Sequence, residues 1–185
     1  QPRYVYTYPS YANGGWNDGG ANYYKMVVQG TSVHFFVSDY NQRGTWYGRL
    51  MYIRSVNNGL SFEAPRSFFE GNDAFHIYNV MSRPIPNGVA VVFLHKCNWT
   101  TADTCYYMKS TDNGTTFQRD TVYTTPAFSG SPDDVKIEGA SVYVPFSWSY
   151  FYYGFNYGEQ WIAVATNGGK FIKTKLSVPR SYNNN

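Results

Sequence analysis

A segment that occurs twice in this chain, 55 residues apart, constrains its fold more than any other feature. Residues 52–62 read YIRSVNNGLSF and residues 107–117 read YMKSTDNGTTF. Both therefore follow the pattern Tyr-x-basic-Ser-x-(Asp/Asn)-Asn-Gly-x-(Ser/Thr)-Phe. A shorter copy, ATNGGKF, occupies residues 165–171. Self-similarity at a fixed period indicates a structural unit that is built several times along the chain.

The segments around these copies have the composition of β-strands. They are rich in Val, Ile, Tyr and Phe and are separated by Gly, Asn and Pro, and no long stretch has helical apolar spacing. A glycine and then an apolar strand precede each copy, at Gly30, Gly88 and Gly139. We therefore predict an all-β chain with an N-terminal extension that contains one strand (1–22), three four-stranded antiparallel units (about 23–78, 79–130 and 131–178) and a polar tail (179–185).

The repeated segment resembles the Asp-box, or BNR repeat, of sialidase-like β-propellers, whose pattern is Ser-x-Asp-x-Gly-x-(Thr/Ser)-(Phe/Trp). The resemblance covers about residues 23–178 and implies three propeller blades per chain. The first copy departs from the pattern because Asn57 stands where Asp is usual, and the third copy lacks the Ser. Propellers usually have four to eight blades, so three blades imply closure by a second chain. The alternatives are that the chain is a fragment of a longer protein, or that residues 3–24 cap one open end of the three blades.

In such a box, Asn-Gly supplies the positive φ of a tight hairpin, and the Ser and Asp side chains accept hydrogen bonds from backbone N–H groups. The aromatic residue then packs between sheets. A role as calcium or glycan ligands is the alternative. We expect a structural role for the box residues Ser55, Asn57, Gly59, Phe62, Ser110, Asp112, Gly114 and Phe117.

The resemblance places a ligand at the face opposite the boxes, where the loops between second and third strands lie. Those loops, predicted at residues 38–47, 96–103 and 147–159, contain one Trp each. Aromatic rings stack on the apolar faces of sugars, so these loops could bind a glycan. The alternatives are that their aromatic side chains pack against each other or against another protein. Arg83 is added because residues 82–86 resemble the Arg-Ile-Pro element of sialidases, whose Arg binds the substrate carboxylate. The predicted ligand-binding residues are Trp46, Tyr47, Arg83, Trp99, Trp148, Tyr150, Tyr152, Tyr153 and Tyr157.

Cys97 and Cys105 flank a polar loop between two strand-like runs. A hairpin would bring them within disulfide reach, and two buried free thiols are the alternative. A disulfide implies an oxidising compartment. The low Lys and Glu content and the many Tyr, Asn and Gly residues agree with it, so we expect a secreted or surface-displayed protein.

Composition and motifs exclude several classes of function. A net charge of +3 does not favour nucleic acid, and the longest apolar run, residues 89–94, is far shorter than the about 20 residues of a membrane span. The three histidines lack metal-ligand spacing, and neither a Gly-x-Ser-x-Gly elbow nor a phosphate loop is present. We therefore expect no metal or cofactor, no nucleic-acid partner and no insertion into a membrane.

We predict a non-catalytic β-propeller module that binds a glycan or another cell-surface ligand, and that forms a homo-oligomer, a dimer with six blades. One alternative is a structural subunit of an extracellular fibre or assembly. The other is a sialidase-type glycosidase whose site is completed by dimerisation. A sialidase needs an arginine triad, an acidic residue and a Tyr activated by Glu, and no motif in this sequence fixes them.

Overall fold

A computed structural model describes residues 24–41, 47–70, 76–96, 102–125, 130–152, 155–176 and 180–182. These residues contain β-strands and no helix, so none of them forms a helix that could span a membrane. The strands are β1 (Tyr24–Gln29), β2 (Ser32–Asn41), β3 (Tyr47–Ser55), β4 (Arg66–Glu70), β5 (His76–Ile85), β6 (Gly88–Lys96), β7 (Asp103–Ser110), β8 (Gln118–Thr125), β9 (Gly130–Pro132), β10 (Lys136–Glu138), β11 (Ser141–Tyr152), β12 (Phe155–Ala165), β13 (Ile172–Lys175) and β14 (Arg180–Tyr182).

The strands form three successive antiparallel sheets. The first has the order β1-β2-β3-β4 and the second the order β5-β6-β7-β8, so strands that follow each other in sequence are neighbours. The third has the order β10-β11-β12-β13, with β9 paired to β11 and β14 paired to β12. The prediction of an all-β chain with four-stranded antiparallel sheets is confirmed, and each sheet is open rather than closed on itself.

A two-residue turn joins the first two main strands of each sheet. The turns close between Gln29 and Ser32, between Ile85 and Gly88, and between Glu138 and Ser141. Each turn contains a residue with positive φ, at which glycine or asparagine is favoured. These residues are Gly30 (φ 56°), Asn87 (57°) and Gly139 (57°).

Each sheet buries one face against the next sheet. The core between the first and second sheets contains Val27, Phe36, Leu50, Tyr52, Ile77, Val80, Val89, Val91, Phe93 and Met108. The core between the second and third sheets contains Ile85, Ala90, Val92, Leu94, Cys105, Tyr107, Val122, Tyr123, Val135, Val142, Val144, Phe146 and Ala163. Side chains alternate between the two faces of a strand, so the second sheet contributes to both cores.

The two outer faces of this stack differ. On the first sheet, Val37, Met51 and Ile53 are buried, with Phe35 and Phe62 packed against them. The outer face of the third sheet contains Tyr143, Pro145, Ile162, Val164 and Ile172. Four of these side chains are half-buried, and Ile172 is 71% exposed. The edge strand β1 also exposes Tyr24, Met26 and Val28 on the outer face of the first sheet, at 64%, 62% and 58%. Both outer faces therefore have exposed apolar side chains.

The strands extend further than predicted at the end away from the repeated segments. Most of the predicted loop 147–159 is a hairpin, because β11 continues to Tyr152, β12 begins at Phe155, and Tyr150 pairs with Tyr157. Tyr and Phe favour strands, so the aromatic run lengthens the sheet. Arg83 lies within β5, opposite Ala90. The strand predicted at residues 4–8 lies outside the described residues.

The predicted disulfide between Cys97 and Cys105 is wrong, because Cys105 is a free, buried thiol. The register of β6 and β7 places Leu94 opposite Cys105, and the thiol lies in the core beside Tyr123. Burial raises the pKa of the Cys105 thiol well above its usual range. Cys97 lies outside the described residues.

Candidate functional site

The first repeat loop (residues 55–62) and the second (110–117) share one pattern of hydrogen bonds. Ser55 Oγ accepts the Gly59 amide at 2.9 Å and donates to Asn57 Oδ1 at 2.9 Å. In the second loop, Ser110 Oγ accepts the Gly114 amide at 2.7 Å and donates to the Asp112 carboxylate at 2.7 Å. The serine thus satisfies a backbone donor inside the turn, as a structural role requires.

Asn57 and Asp112 close the other half of these loops. The Ser61 amide donates to Asn57 Oδ1 at 3.0 Å, and the Thr116 amide donates to Asp112 Oδ1 at 2.9 Å. The Thr116 hydroxyl donates to the second oxygen of Asp112 at 2.6 Å. These bonds, the Thr116 hydroxyl first, hold the pKa of Asp112 far below its usual range. An amide oxygen accepts the same backbone N–H as a carboxylate, which explains why asparagine fits the first loop.

The backbone of all three repeat loops is alike. Each Asn-Gly pair has positive φ, with values of 58° and 75° at Asn58–Gly59, 55° and 80° at Asn113–Gly114, and 52° and 71° at Asn167–Gly168. The backbone N–H of each asparagine donates to a carbonyl in the two-residue turn of its own sheet. The distances are 2.7 Å to Thr31, 2.7 Å to Asn87 and 3.1 Å to Ala140. The turn geometry therefore persists in the third loop (165–171), which lacks the serine.

The second repeat loop is fastened to the first sheet by two arginines. Arg54 donates to the Asn113 carbonyl at 2.7 Å and to Thr115 Oγ1 at 3.1 Å. Arg66 donates to the Gly114 carbonyl at 2.5 Å and to the Thr115 carbonyl at 3.2 Å. Charged donors give stronger hydrogen bonds than neutral ones. This loop is therefore part of the interface between the first and second sheets.

The phenylalanine that ends a repeat loop packs on the preceding sheet. Phe117 meets Tyr52 edge to face, with ring centroids 5.2 Å apart and an interplanar angle of 73°. Phe171 meets Tyr107 in the same way, at 5.7 Å and 70°. These contacts place the aromatic residues of the second and third loops between sheets.

The predicted ligand-binding residues are only partly described. Trp46, Trp99 and Tyr153 lie outside the described residues. Tyr47 begins β3, Tyr150 and Tyr152 lie in β11, and Tyr157 lies in β12. Arg83 is exposed; it forms an ion pair with Asp134 and donates to the Ser82 carbonyl at 3.0 Å. Arg83 is therefore paired with a carboxylate of the same chain.

Trp148 belongs to a group of side chains near the middle of the long β11–β12 pair. We call Trp148, Glu159, Trp161 and Lys175 the tryptophan cluster. Trp148 and Glu159 are register partners, and the two indole rings are 6.1 Å apart. Trp161 Nε1 donates to Glu159 Oε2 at 2.9 Å, and Lys175 Nζ donates to Glu159 Oε1 at 2.7 Å. The bond from Lys175 lowers the pKa of the buried Glu159, which keeps it ionised.

The tryptophan cluster rests on a stack of aromatic rings. Trp161 stacks on Phe146 at 6.2 Å, and Phe146 stacks on Tyr123 at 3.9 Å. Trp148 is half-buried, and its indole nitrogen has no hydrogen-bond acceptor among the described residues. Sequence reasoning selected Trp148 but missed Trp161 and Lys175. Glu159 and Trp161 are two residues apart and therefore share one face of a strand, which could have indicated their contact from the sequence. The pairing with Lys175 depends on strand register.

A polar pocket of about 390 Å³ lies beside the second repeat loop. It is lined by Gln29, Gly30, Thr31, Ser32, Asn87, Asp112 and Asn113. Within the described ranges, no group of three or more His, Cys, Asp or Glu side chains is placed to hold a metal ion.

Comparisons with protein-family models, with curated proteins and with solved structures found no match to this chain. The resemblance to Asp-box propellers therefore depends on the repeated residues alone.

Proposed function

We propose that the chain is a non-catalytic, propeller-type module that binds a glycan, or another ligand with flat apolar faces and hydroxyl groups, at the tryptophan cluster. The observation that carries this proposal is the grouping of two tryptophans with an ionised carboxylate on one face of the third sheet. Binding sites combine aromatic surface with a few fixed polar groups. The half-buried indole ring of Trp148 supplies a stacking surface.

Polar side chains on the opposite face of β11 and β12, level with Trp148, supply further partners for hydroxyl groups. The Ser147 hydroxyl donates to Asp133 Oδ2 at 2.7 Å, and Gln160 Nε2 donates to Ser147 Oγ at 3.3 Å. Asp133 and Gln160 are exposed. Because neighbouring residues of a strand point to opposite faces, these two side chains offer a carboxylate and an amide on the face away from the Trp148 ring.

The state of Glu159 favours binding over catalysis. A carboxyl that serves as general acid in a glycosidase has a raised pKa, whereas the pKa of Glu159 is lowered. Both of its oxygens already accept hydrogen bonds, from Trp161 and Lys175. Its suitable role is to hold Trp161 in place.

A glycan array followed by titration calorimetry tests this proposal. The array identifies a ligand, and we expect Trp148→Ala to weaken its binding at least tenfold, or about 1.4 kcal/mol. The matched control is Tyr24→Ala, because Tyr24 is an aromatic residue that is 64% exposed on another sheet. Absence of any glycan ligand, or equal affinity of folded Trp148→Ala and wild type, contradicts the proposal.

We further propose that the three sheets are propeller blades of a secreted or surface protein. The repeated unit supports the blades, and the composition supports a secreted or surface location. The predicted disulfide does not, because Cys105 is a free thiol. The three-blade arc is completed by a second copy, and the open outer face of the third sheet favours this. Tyr52 and Tyr107, on the equivalent faces of the first two sheets, are almost fully buried, whereas Ile172 and Leu176 are 71% and 61% exposed.

Self-association is measured by light scattering over a range of concentrations. We expect dimers for the wild type and monomers for Ile172→Glu, because a buried, unpaired carboxylate opposes the contact. Lys173→Glu, one residue along the same strand, is the charge control. A wild-type chain that stays monomeric at high concentration contradicts the dimer.

A further inference from the structure

We propose that Asn167 is a site of spontaneous deamidation, and that the serine of the first and second repeat loops protects Asn58 and Asn113 from the same reaction. The inference does not depend on the proposed ligand. It follows from a comparison of three Asn-Gly pairs that share a backbone conformation but differ in one hydrogen bond.

The reaction needs only the chain and water. The glycine backbone nitrogen attacks the side-chain carbonyl carbon of the preceding asparagine, a C–N bond forms, and the side-chain nitrogen leaves as ammonia. The resulting succinimide is opened by water at either carbonyl, which gives aspartate or isoaspartate. Glycine in the second position favours the attack because it has no side chain to hinder it.

In the first two repeat loops the attacking nitrogen is held by the serine. The Gly59 amide donates to Ser55 Oγ at 2.9 Å, and the Gly114 amide donates to Ser110 Oγ at 2.7 Å. Attack requires this bond to break and leaves the buried serine oxygen only the longer bond from the backbone N–H of Asn57 or Asp112, at 3.3 and 3.4 Å, which costs free energy. Both serines are 1% exposed, so water does not replace the lost partner.

The third repeat loop lacks this protection. Ala165 takes the place of the serine at the strand end, because it pairs with Val142 as Ser110 pairs with Val89. No side-chain oxygen among the described residues accepts the Gly168 amide. The space around Gly168 is also open, since a Cβ built there would meet no atom within 4 Å. The side chain of Asn167 can therefore approach the nitrogen.

Packing strengthens the contrast with the second loop. Gly114 is buried, and a Cβ there would lie 1.8 Å from Tyr52 Oη. In the Asn87–Gly88 pair Asn87 is exposed but Gly88 is buried, and a Cβ on Gly88 would meet the Ser110 carbonyl at 2.0 Å. Asn167, Gly168 and Gly169 are all exposed. Among the described Asn-Gly pairs, Asn167–Gly168 is thus the one with both a free nitrogen and open surroundings.

The test is peptide mapping by mass spectrometry after incubation of the folded chain at mildly alkaline pH. We expect the peptide with Asn167 to convert from amide to acid, with isoaspartate as a product, at least ten times faster than Asn58 or Asn113; tenfold corresponds to about 1.4 kcal/mol in activation free energy. Equal rates at the three sites in the folded chain overturn the proposal.

A denatured sample separates structure from local sequence. We expect the three rates to converge in denaturant, and persistence of the ranking there overturns the proposal. Ser110→Ala should accelerate conversion of Asn113 and leave Asn58 unchanged. Thr116→Val is the matched control, because it removes a bond to Asp112 but spares the Gly114 amide. Equal acceleration by Thr116→Val would assign the effect to general loosening of the loop and reject the role of serine.

Discussion

The second and third repeat loops have the same turn backbone in different surroundings. Asn113 and Asn167 have φ values of 55° and 52°, and the backbone N–H of each donates a hydrogen bond to the neighbouring two-residue turn. The second loop is packed against the first sheet and receives hydrogen bonds from Arg54 and Arg66. At the third loop, Gly168 is exposed.

The difference shows which interactions specify the turn and which stabilise its position. The Asn-Gly pair and the hydrogen bond from the backbone N–H of its asparagine to the neighbouring turn are enough to specify the backbone conformation, since the third loop keeps both. The serine, the carboxylate and the arginines are additions that fix the second loop between two sheets. Substitutions in the second loop should therefore cost more than the same substitutions in the third.

The largest difference is expected for glycine to alanine. Gly114→Ala places a Cβ 1.8 Å from Tyr52 Oη at a φ of 80°, while Gly168→Ala at a φ of 71° meets open space. The left-handed conformation alone costs about 1 kcal/mol, and overpacking adds about 2 kcal/mol. We expect urea denaturation to give losses of about 3 kcal/mol for Gly114→Ala and about 1 kcal/mol for Gly168→Ala. Equal losses would mean that the packing of Gly114 does not matter.

Acid should destabilise the folded chain through two buried histidines, of which His34 lies beside the second loop. His34, which is buried and hydrogen-bonded to Tyr52 at 2.7 Å, lies beside Gly114. Burial first, and then Arg54, lowers the pKa of His34, and burial lowers the pKa of His95 to about 4. The unfolded chain then binds protons below pH 6.5 that the folded chain does not bind. The free energy of unfolding should fall by about 2 kcal/mol as the pH decreases from 6.5 towards 4.

Urea denaturation at a series of pH values measures this dependence, and His95→Gln is the informative variant. It should reduce the slope over that pH range whatever its effect at neutral pH. An unchanged slope would show that His95 takes up its proton equally in the folded and unfolded chain.

The arginine contacts give a smaller effect. Arg66 donates to the Gly114 and Thr115 carbonyls, and its guanidinium lies 5.1 Å from the centre of the Tyr52 ring. Arg66→Met keeps most of the aliphatic stem, so the loss should be about 1.5 kcal/mol in thermal or urea unfolding. Lys173→Met, on exposed β13 of the third sheet, is the control and should change stability by less than about 0.5 kcal/mol. Similar losses for both variants would remove the distinction between the loops.

The contrast between loops also explains what the sequence predicted well. The repeat, the hairpins and the all-β fold follow from contacts between residues close in sequence, such as Ser110 with Asp112 and Gly114. The false disulfide and the missed Lys175 depend on strand register instead. The register of β6 and β7 places Leu94 opposite Cys105, and the register of β12 and β13 places Lys175 opposite Trp161. Sequence spacing therefore located the loops but not the tryptophan cluster.

The smallest effect is expected for Asp112→Asn, and it tests whether the loop needs a carboxylate or only an acceptor oxygen. Asn57 in the first loop accepts the Ser61 amide and donates Nδ2 to Ser61 Oγ at 2.8 Å. Asparagine at 112 can make the same bonds to Thr116, so stability at neutral pH should stay within the error of urea denaturation. The acid dependence should change, because the pKa of Asp112 is depressed by Thr116 and its stabilisation is lost as the pH falls below the ordinary aspartate range. A large loss at neutral pH would show that the charge itself, and not the hydrogen-bond pattern shared with the first loop, fixes the second loop.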